Sequence, residues 1–173
     1  MKKLFALLVV LALALSAVAV AEEAVGSPVP FEITSVTPEG VTAAVKTPEE
    51  DELTGQLLDA IVAENDNEKV FGTSGLEDLS KYELVELVGL EIADYDEASN
   101  EDVVLNIKFG ASFEKDADLI ALLGLIDGVD VTWQSAGFQI EDNGTLTITL
   151  TPEQAIAAQN GTAVIAILQK IAE

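Results

Sequence analysis

The 173-residue chain has no cysteine, no histidine and no arginine. Each absence removes a class of chemistry. Without cysteine there is no disulfide, no thiol nucleophile, no iron–sulfur cluster and no thiolate zinc site. Without histidine, a serine or other nucleophile has no imidazole to activate it. Without arginine there is no planar fork to grip a phosphate from two sides. Positive charge is scarce as well: eight lysines face 31 acidic residues, for a net charge of −23. A chain so acidic is repelled by nucleic acids and by anionic lipid surfaces, so neither is expected as a partner. Hydrophobic residues make up 49% of the sequence, which is enough for a packed core and far from a disordered composition. The length fits one domain.

The first 21 residues stand apart. Lys2 and Lys3 are followed by an apolar stretch from Leu4 to Val20, broken only by Ser16, and by Ala19-Val20-Ala21 ahead of Glu22 and Glu23. A positive start, an apolar middle and small residues at Ala19 and Ala21 spell a secretory signal peptide, with cleavage expected after Ala21. The alternative, an uncleaved anchor helix, is at the short end of the spanning range. The expected location is therefore extracellular or in the cell envelope, with no transmembrane helix once the signal is removed. These 21 residues hold two of the lysines and none of the acids, so the mature chain carries −25. With no disulfide to brace it, such an exported domain depends on its hydrophobic core.

Residues 22–30 are expected to be a flexible leader, and residues 31–173 a single domain. Phe31 to Val36 and Val41 to Lys46 have strand character on either side of Thr37-Pro38-Glu39-Gly40, which predicts a hairpin. Thr47-Pro48-Glu49-Glu50 carries helix-start chemistry. Leu53, Leu57, Leu58, Ile61 and Val62 then recur at helical spacing, predicting a helix near 48–64 with one apolar stripe on a sheet. A loop with Gly72 and Gly75 leads into strand patterns at Leu84–Ile92, at the strictly alternating Val103–Phe109, and at the apolar run Leu119–Ile126. Asp127-Gly128 predicts a two-residue hairpin turn into Val129–Gln134. Phe138 and Ile140 precede a second turn at Asp142-Asn143-Gly144, and Leu146, Ile148 and Leu150 alternate with threonines. Thr151-Pro152-Glu153-Gln154 opens a short helix ending near Asn160-Gly161, and Thr162–Gln169 closes as a strand. About eight short strands and two helices, with turn signals between them, predict a mainly β (α+β) fold. The expected architecture is an antiparallel β-sandwich, Ig-like or related, with one or two short helices packed on it.

The stretch from Tyr82 to Leu168 resembles small β-sandwich accessory modules of secreted and cell-surface proteins from Gram-positive gut bacteria. The likeness runs through Tyr82-Glu83-Leu84-Val85-Glu86-Leu87, the alternating strand Val103–Phe109, and Leu119–Ile126 with Asp127-Gly128 and Trp133. It ends at Asp142-Asn143-Gly144-Thr145. It covers about half of the chain and is a pattern of strands and turns, not of reactive groups. It implies an extracellular sandwich and supplies no active-site residues. This chain departs from it in standing almost alone behind a signal, and in placing a helix before the closing strand.

Candidate chemistry is sparse. Asp94, Asp96, Asn100 and Asp102 lie in an acidic segment that offers oxygen ligands of the kind Ca²⁺ prefers. The EF-hand spacing fails, because Ala98, Ser99 and Leu105 stand where an oxygen ligand, a glycine and a bidentate glutamate belong. A solvated loop between two strands is the simpler reading. Trp133, Tyr82 and Tyr95 could stack on sugar rings, but Trp133 shares a strand face with Val129 and Val131 and is expected in the core, leaving Tyr95 as the better exposed candidate. Asn143-Gly144-Thr145 and Asn160-Gly161-Thr162 match the glycosylation sequon, and Asn-Gly turns account for both. With 31 acids, paired carboxylates mark no hydrolytic pair. The expectation is a non-enzymatic interaction or adhesion module with no catalytic residue and no cofactor, recognising an extracellular protein or glycan. Ca²⁺ or glycan binding at the 94–102 loop is the alternative, and a small carboxylate-dependent hydrolase the third.

Overall fold

The computed structural model describes residues 32–108, 117–128, 130–141 and 145–171. The signal residues Ala19 and Ala21, the 22–30 leader, Phe109, Val129 and Asn143-Gly144 lie outside them. The described residues form eight strands: β1 (Glu32–Thr37), β2 (Thr42–Lys46), β3 (Tyr82–Ala93), β4 (Val103–Lys108), β5 (Leu119–Asp127), β6 (Asp130–Ile140), β7 (Thr145–Leu150) and β8 (Thr162–Lys170). Three α-helices join them: α1 (Glu52–Glu64), α2 (Asn67–Phe71) and α3 (Pro152–Asn160), with short 3₁₀ turns at Gly72–Ser74 and Leu79–Lys81. None of the described helices is long and apolar enough to cross a membrane.

Every strand pairing is antiparallel, and the strand order is β1-β4-β7-β6-β5-β8-β3-β2 in one nearly closed sheet. The hairpin expected between β1 and β2 does not form: the turn at 37–40 instead joins the two outermost strands, β1 paired with β4 and β2 with β3. Proline and glycine signal a chain reversal but do not choose the ladder partner, which burial decides. β6 changes partner along its length, pairing through residues 130–136 with β5 and through Gly137–Ile140 with β7. Asp127 pairs with Asp130, so Asp127 belongs to the ladder and not to the turn as expected, and Gly128 follows it at φ 64°.

Two apolar clusters lie on opposite faces of the sheet. The larger takes Val88, Leu90 and Ile92 from β3, Leu105 and Ile107 from β4, Leu123 from β5, Ile148 and Leu150 from β7 and Ile165 and Ile167 from β8, with Ala155 and Ala158 of α3 packed into it. The second joins Ile61 of α1, Phe71 of α2 and Leu79 to Leu87, Leu122, Trp133, Val164, Ala166 and Leu168. β5 and β8 are therefore buried on both faces, which is why they read as unbroken apolar runs. Burial by strands alone does not account for Trp133. It lies on the face covered by helices, only 1% exposed, with its ring edge-on to Phe71 at 4.8 Å.

Helix starts follow short polar side chains. Glu50 does reach back to the Thr47 N–H at 3.0 Å, but the helix begins one turn later, at Glu52 and not near residue 48. There the Asp51 carboxylate accepts from the Thr54 N–H at 2.8 Å and from its hydroxyl at 2.6 Å. The apolar stripe is rotated accordingly: Thr54, Leu57, Leu58 and Ile61 face the sheet, while Leu53 is 46% exposed. Asn65, in the left-handed region, ends α1, and Asp66 at once caps α2. α3 begins as expected, with Thr151 and Gln154 in a reciprocal capping box. Gln154 is buried and also donates to the Ser135 carbonyl at 3.0 Å, tying the helix start to β6.

Gly124 is the direct cross-strand neighbour of Trp133. A Cβ at position 124 would stand 2.6 Å from Trp133 Cζ3 and 2.7 Å from Val164 Cγ2, so the indole lies flat on β5 only because position 124 carries no side chain. Gly124→Ala should destabilise the fold by about 1–3 kcal/mol through overpacking. Urea unfolding followed by the emission of Trp133, the only tryptophan, measures it. A midpoint equal to the wild type would contradict this packing.

Candidate binding surfaces

The 94–102 segment connects β3 to β4. Asp94 opens it with φ 62° and accepts from the Thr42 hydroxyl at 3.3 Å. Asp96 accepts from the Ala98 N–H at 2.9 Å within a local turn, and the Asn160 amide at the end of α3 donates to Glu97 at 3.0 Å. Asn100 and Asp102 are exposed. Among the described residues, no three carboxylates come together where they could hold a metal ion. The four sequence candidates thus share a loop without being gathered around a common point.

Tyr95 is not the exposed aromatic expected of it. It is 4% exposed and part of the larger core cluster. Its hydroxyl donates to the Glu101 carbonyl at 2.8 Å, and Gln159 of α3 brackets its backbone, accepting from the N–H at 2.7 Å and donating to the carbonyl at 3.1 Å. A tyrosine buries its ring readily when the polar tip finds a partner. The acidic residues around it mask that in the sequence. Tyr82 is likewise half-buried, packed against the helix-covered cluster. Trp133, Tyr82 and Tyr95 all serve packing, and none presents an open ring for a sugar.

Two surfaces went unnoticed in the sequence. The first is the outer face of the β1-β4-β7 side, to which neither helix-bearing cluster contributes a side chain. The strand registers align Ser35, Asn106, Thr147 and Gln139 in one row across β1, β4, β7 and β6. Asn106 donates to the Ser35 hydroxyl at 2.7 Å and accepts from the Thr147 hydroxyl at 2.6 Å. The signal available in the sequence was Thr145, Thr147 and Thr149 alternating with Leu146, Ile148 and Leu150.

The second is the bulge in β3. The register passes from Leu84 opposite Leu168 to Glu86 opposite Ile167, leaving Val85 as the extra residue. Residues before and after the bulge therefore face opposite ways, and Glu86 falls on the side of Val88 and Ile167, over the larger core cluster. Burial raises its carboxyl to about 7, aided by the charge of Glu49 and opposed by the Leu87 N–H that it accepts. The carboxylates with lowered values behave differently. Asp51 is held down by Thr54, first through its hydroxyl and then its N–H; Asp66 by the Lys69 N–H; and Asp78 by Lys81.

Two measurements probe this surface chemistry. Tyr95→Phe should cost about 1–2 kcal/mol through the unpaired Glu101 carbonyl and should speed proteolytic cleavage within 96–102. An unchanged melting temperature and cleavage rate would show that the hydroxyl does not hold the loop. For Glu86 the folded value lies above the ordinary 4.5. The folded state thus binds more protons than the unfolded one between pH 4.5 and about 7. Stability from this group is present below 4.5 and is lost as pH rises through 7, by roughly 3 kcal/mol at most. In Glu86→Gln that slope between pH 5 and 8 should flatten, while acid sensitivity below pH 4, set by Asp51 and its like, should persist. Parallel stability–pH curves for the two proteins would contradict it.

No family model, no curated protein and no solved structure matches this chain, so the residues themselves carry the functional reading.

Proposed function

We propose that the chain is exported and, after loss of residues 1–21, acts as a non-enzymatic extracellular interaction module that binds a positively charged partner. The observation that carries this reading is uncompensated negative charge on a hydrophobically closed scaffold. Eight lysines cannot balance 31 acids. Lys46, Lys69, Lys81 and Lys170 already sit on Glu91, on Glu64 and Asp66, on Asp78 and on Asp118. Such exposed pairs add little stability, and the remaining carboxylates leave a field that draws cations and speeds their encounter.

The scaffold in this reading is a β-sandwich of the Ig-like or a related kind. The switch of β6 from β5 to β7 supports it, since it separates β1-β4-β7 from β5-β8-β3-β2 as two strand groups joined through one strand. The setting is the cell envelope or the medium outside it, as for the accessory modules of Gram-positive gut bacteria that the sequence resembles. Glycan recognition is the second reading. It moves from the 94–102 loop to the Ser35–Asn106–Thr147–Gln139 row, whose hydroxyl and amide groups suit a neutral polyol.

Surface plasmon resonance of the immobilised mature chain against poly-lysine and a panel of neutral glycans separates the two. Binding of poly-lysine that weakens about tenfold or more between roughly 50 and 300 mM NaCl is expected. Glycan binding insensitive to salt, with no poly-lysine response, would overturn the cationic reading.

A further inference from the structure

Asn160 and Gly161 form the joint between α3 and β8. Asn160 is the last residue of the helix, Gly161 continues in extended backbone at φ −133° and ψ −162°, and Thr162 begins the strand. All three are exposed. The other asparagines among the described residues, Asn65, Asn67, Asn100 and Asn106, each precede a residue that carries a side chain; Asn160 precedes a glycine. The joint also carries a tie. The Asn160 side-chain amide donates to the Glu97 carboxylate at 3.0 Å, and its neighbour Gln159 brackets the Tyr95 backbone. Two adjacent residues at the end of α3 therefore fasten the 94–102 loop. The outer tie needs an amide at position 160, because an ionised carboxylate has no proton to donate to Glu97.

We propose that Asn160 is a modification site: its side-chain amide converts spontaneously to a carboxylate, as aspartate or isoaspartate, and the conversion unfastens the 94–102 loop. The Gly161 nitrogen loses its proton to base and attacks Cγ of Asn160. A bond forms between these two atoms and closes a five-membered succinimide ring. The bond from Cγ to the side-chain nitrogen breaks, and ammonia leaves with a proton taken from solvent. Water then opens the ring at one of its two carbonyls. One water enters, one ammonia departs, and no atom changes oxidation state. Glycine leaves the attacking nitrogen open to approach, and a residue at a helix end frays out of the helical backbone that keeps nitrogen and Cγ apart. Either product sets a carboxylate against Glu97, so the hydrogen bond is lost and two like charges replace it. Isoaspartate also lengthens the main chain by one methylene, next to the ladder in which Thr162 pairs with Ile126. The conversion runs one way, so the state of the loop records the age of the molecule.

The test incubates the folded mature chain in mildly alkaline buffer and samples it over time. A glutamate-specific protease cuts after Glu141 and Glu153, which separates Asn143-Gly144 from Asn160-Gly161. Mass spectrometry of the 154–173 peptide should show the amide-to-acid mass gain accumulating, part of it as isoaspartate. Asn160→Gln keeps an amide but requires a larger ring, and its peptide should gain no mass over the same period. A wild-type 154–173 peptide that stays unchanged while a free Asn-Gly-Thr peptide converts would overturn the site. Unfastening is read from hydrogen exchange of the Tyr95 amide, whose proton Gln159 accepts. At low salt Asn160→Asp should exchange it about fivefold faster than the wild type, the factor set by two unit charges about 4 Å apart in water. Adding Glu97→Gln to Asn160→Asp places an amide opposite a carboxylate again and should return exchange close to the wild-type rate. Trp133 emission verifies that each variant is folded. Equal Tyr95 exchange in Asn160→Asp and the wild type would overturn the unfastening. Exchange that stays fast in the double variant would overturn repulsion from Glu97 as its cause.

Discussion

The outer face of β5 holds its helices through one large side chain placed against the smallest. Trp133 lies across Gly124, touches Val164 and meets Phe71 edge-on, so α2 and its following 3₁₀ turn are anchored where three strands meet. The 3₁₀ turn also closes a hydrogen bond that the sheet leaves open: Thr73 accepts the Trp133 N–H at 2.7 Å, on the stretch of β6 that pairs only with β5. Aromatic cover of a strand glycine restores packing that glycine alone would forfeit. α1 then needs only Leu57, Leu58 and Ile61 to settle on the same face, and its incomplete closure over Val131 leaves a hollow.

Coverage is uneven, and this organises the surface. Over β8 and most of β5 and β3 both faces are buried, while the first half of β6 buries Trp133 on one face and leaves Asp130 and Thr132 exposed on the other. Over β1, β4 and β7 one face packs on the core and the other presents hydroxyl and amide groups that hydrogen-bond along the row, with the Glu141 carboxylate accepting from Thr147 at its edge. A sheet with one solvated face is ordinary for antiparallel strands. The acidic residues gather elsewhere: on the exposed side of α1, in the β3–β4 connection and at the β5–β6 turn. Negative charge there makes copies of the chain repel one another and gives approaching cations a direction.

Much of the fold was legible from the residues. Strict alternation in Val103–Lys108 and Thr145–Leu150 marked one-sided strands, the Thr151–Gln154 pair marked a helix start, and the apolar run in β5 followed by a turn signal marked a strand. Other features stayed hidden for identifiable reasons. The bulges in β1 and β3 reverse the side-chain parity mid-strand, so Ile33 and Val36 both reach the core, and Glu86 faces it although its neighbours in sequence suggest otherwise. Thr54 took the place expected of Leu53 because Asp51, not Thr47, caps α1. Tyr95 looked exposed because acidic residues flank it, yet α3, more than fifty residues away in sequence, supplies the glutamine that locks it in place.

The sequence by itself determined the local conformations, the net charge and the exclusion of thiol, imidazole and guanidinium chemistry, because these follow from composition, from periods of 2 and 3.6 residues and from capping side chains. Tertiary structure alone decided which strands pair, that β1 and β2 stand at opposite ends of the strand order, and that helices rather than a second strand layer cover Trp133. It also decided that α1 leaves a small hollow over Val131 and Trp133. Pairing and coverage depend on contacts between residues far apart in the chain. Many partners satisfy the same alternating pattern, and only the whole set of buried faces selects one.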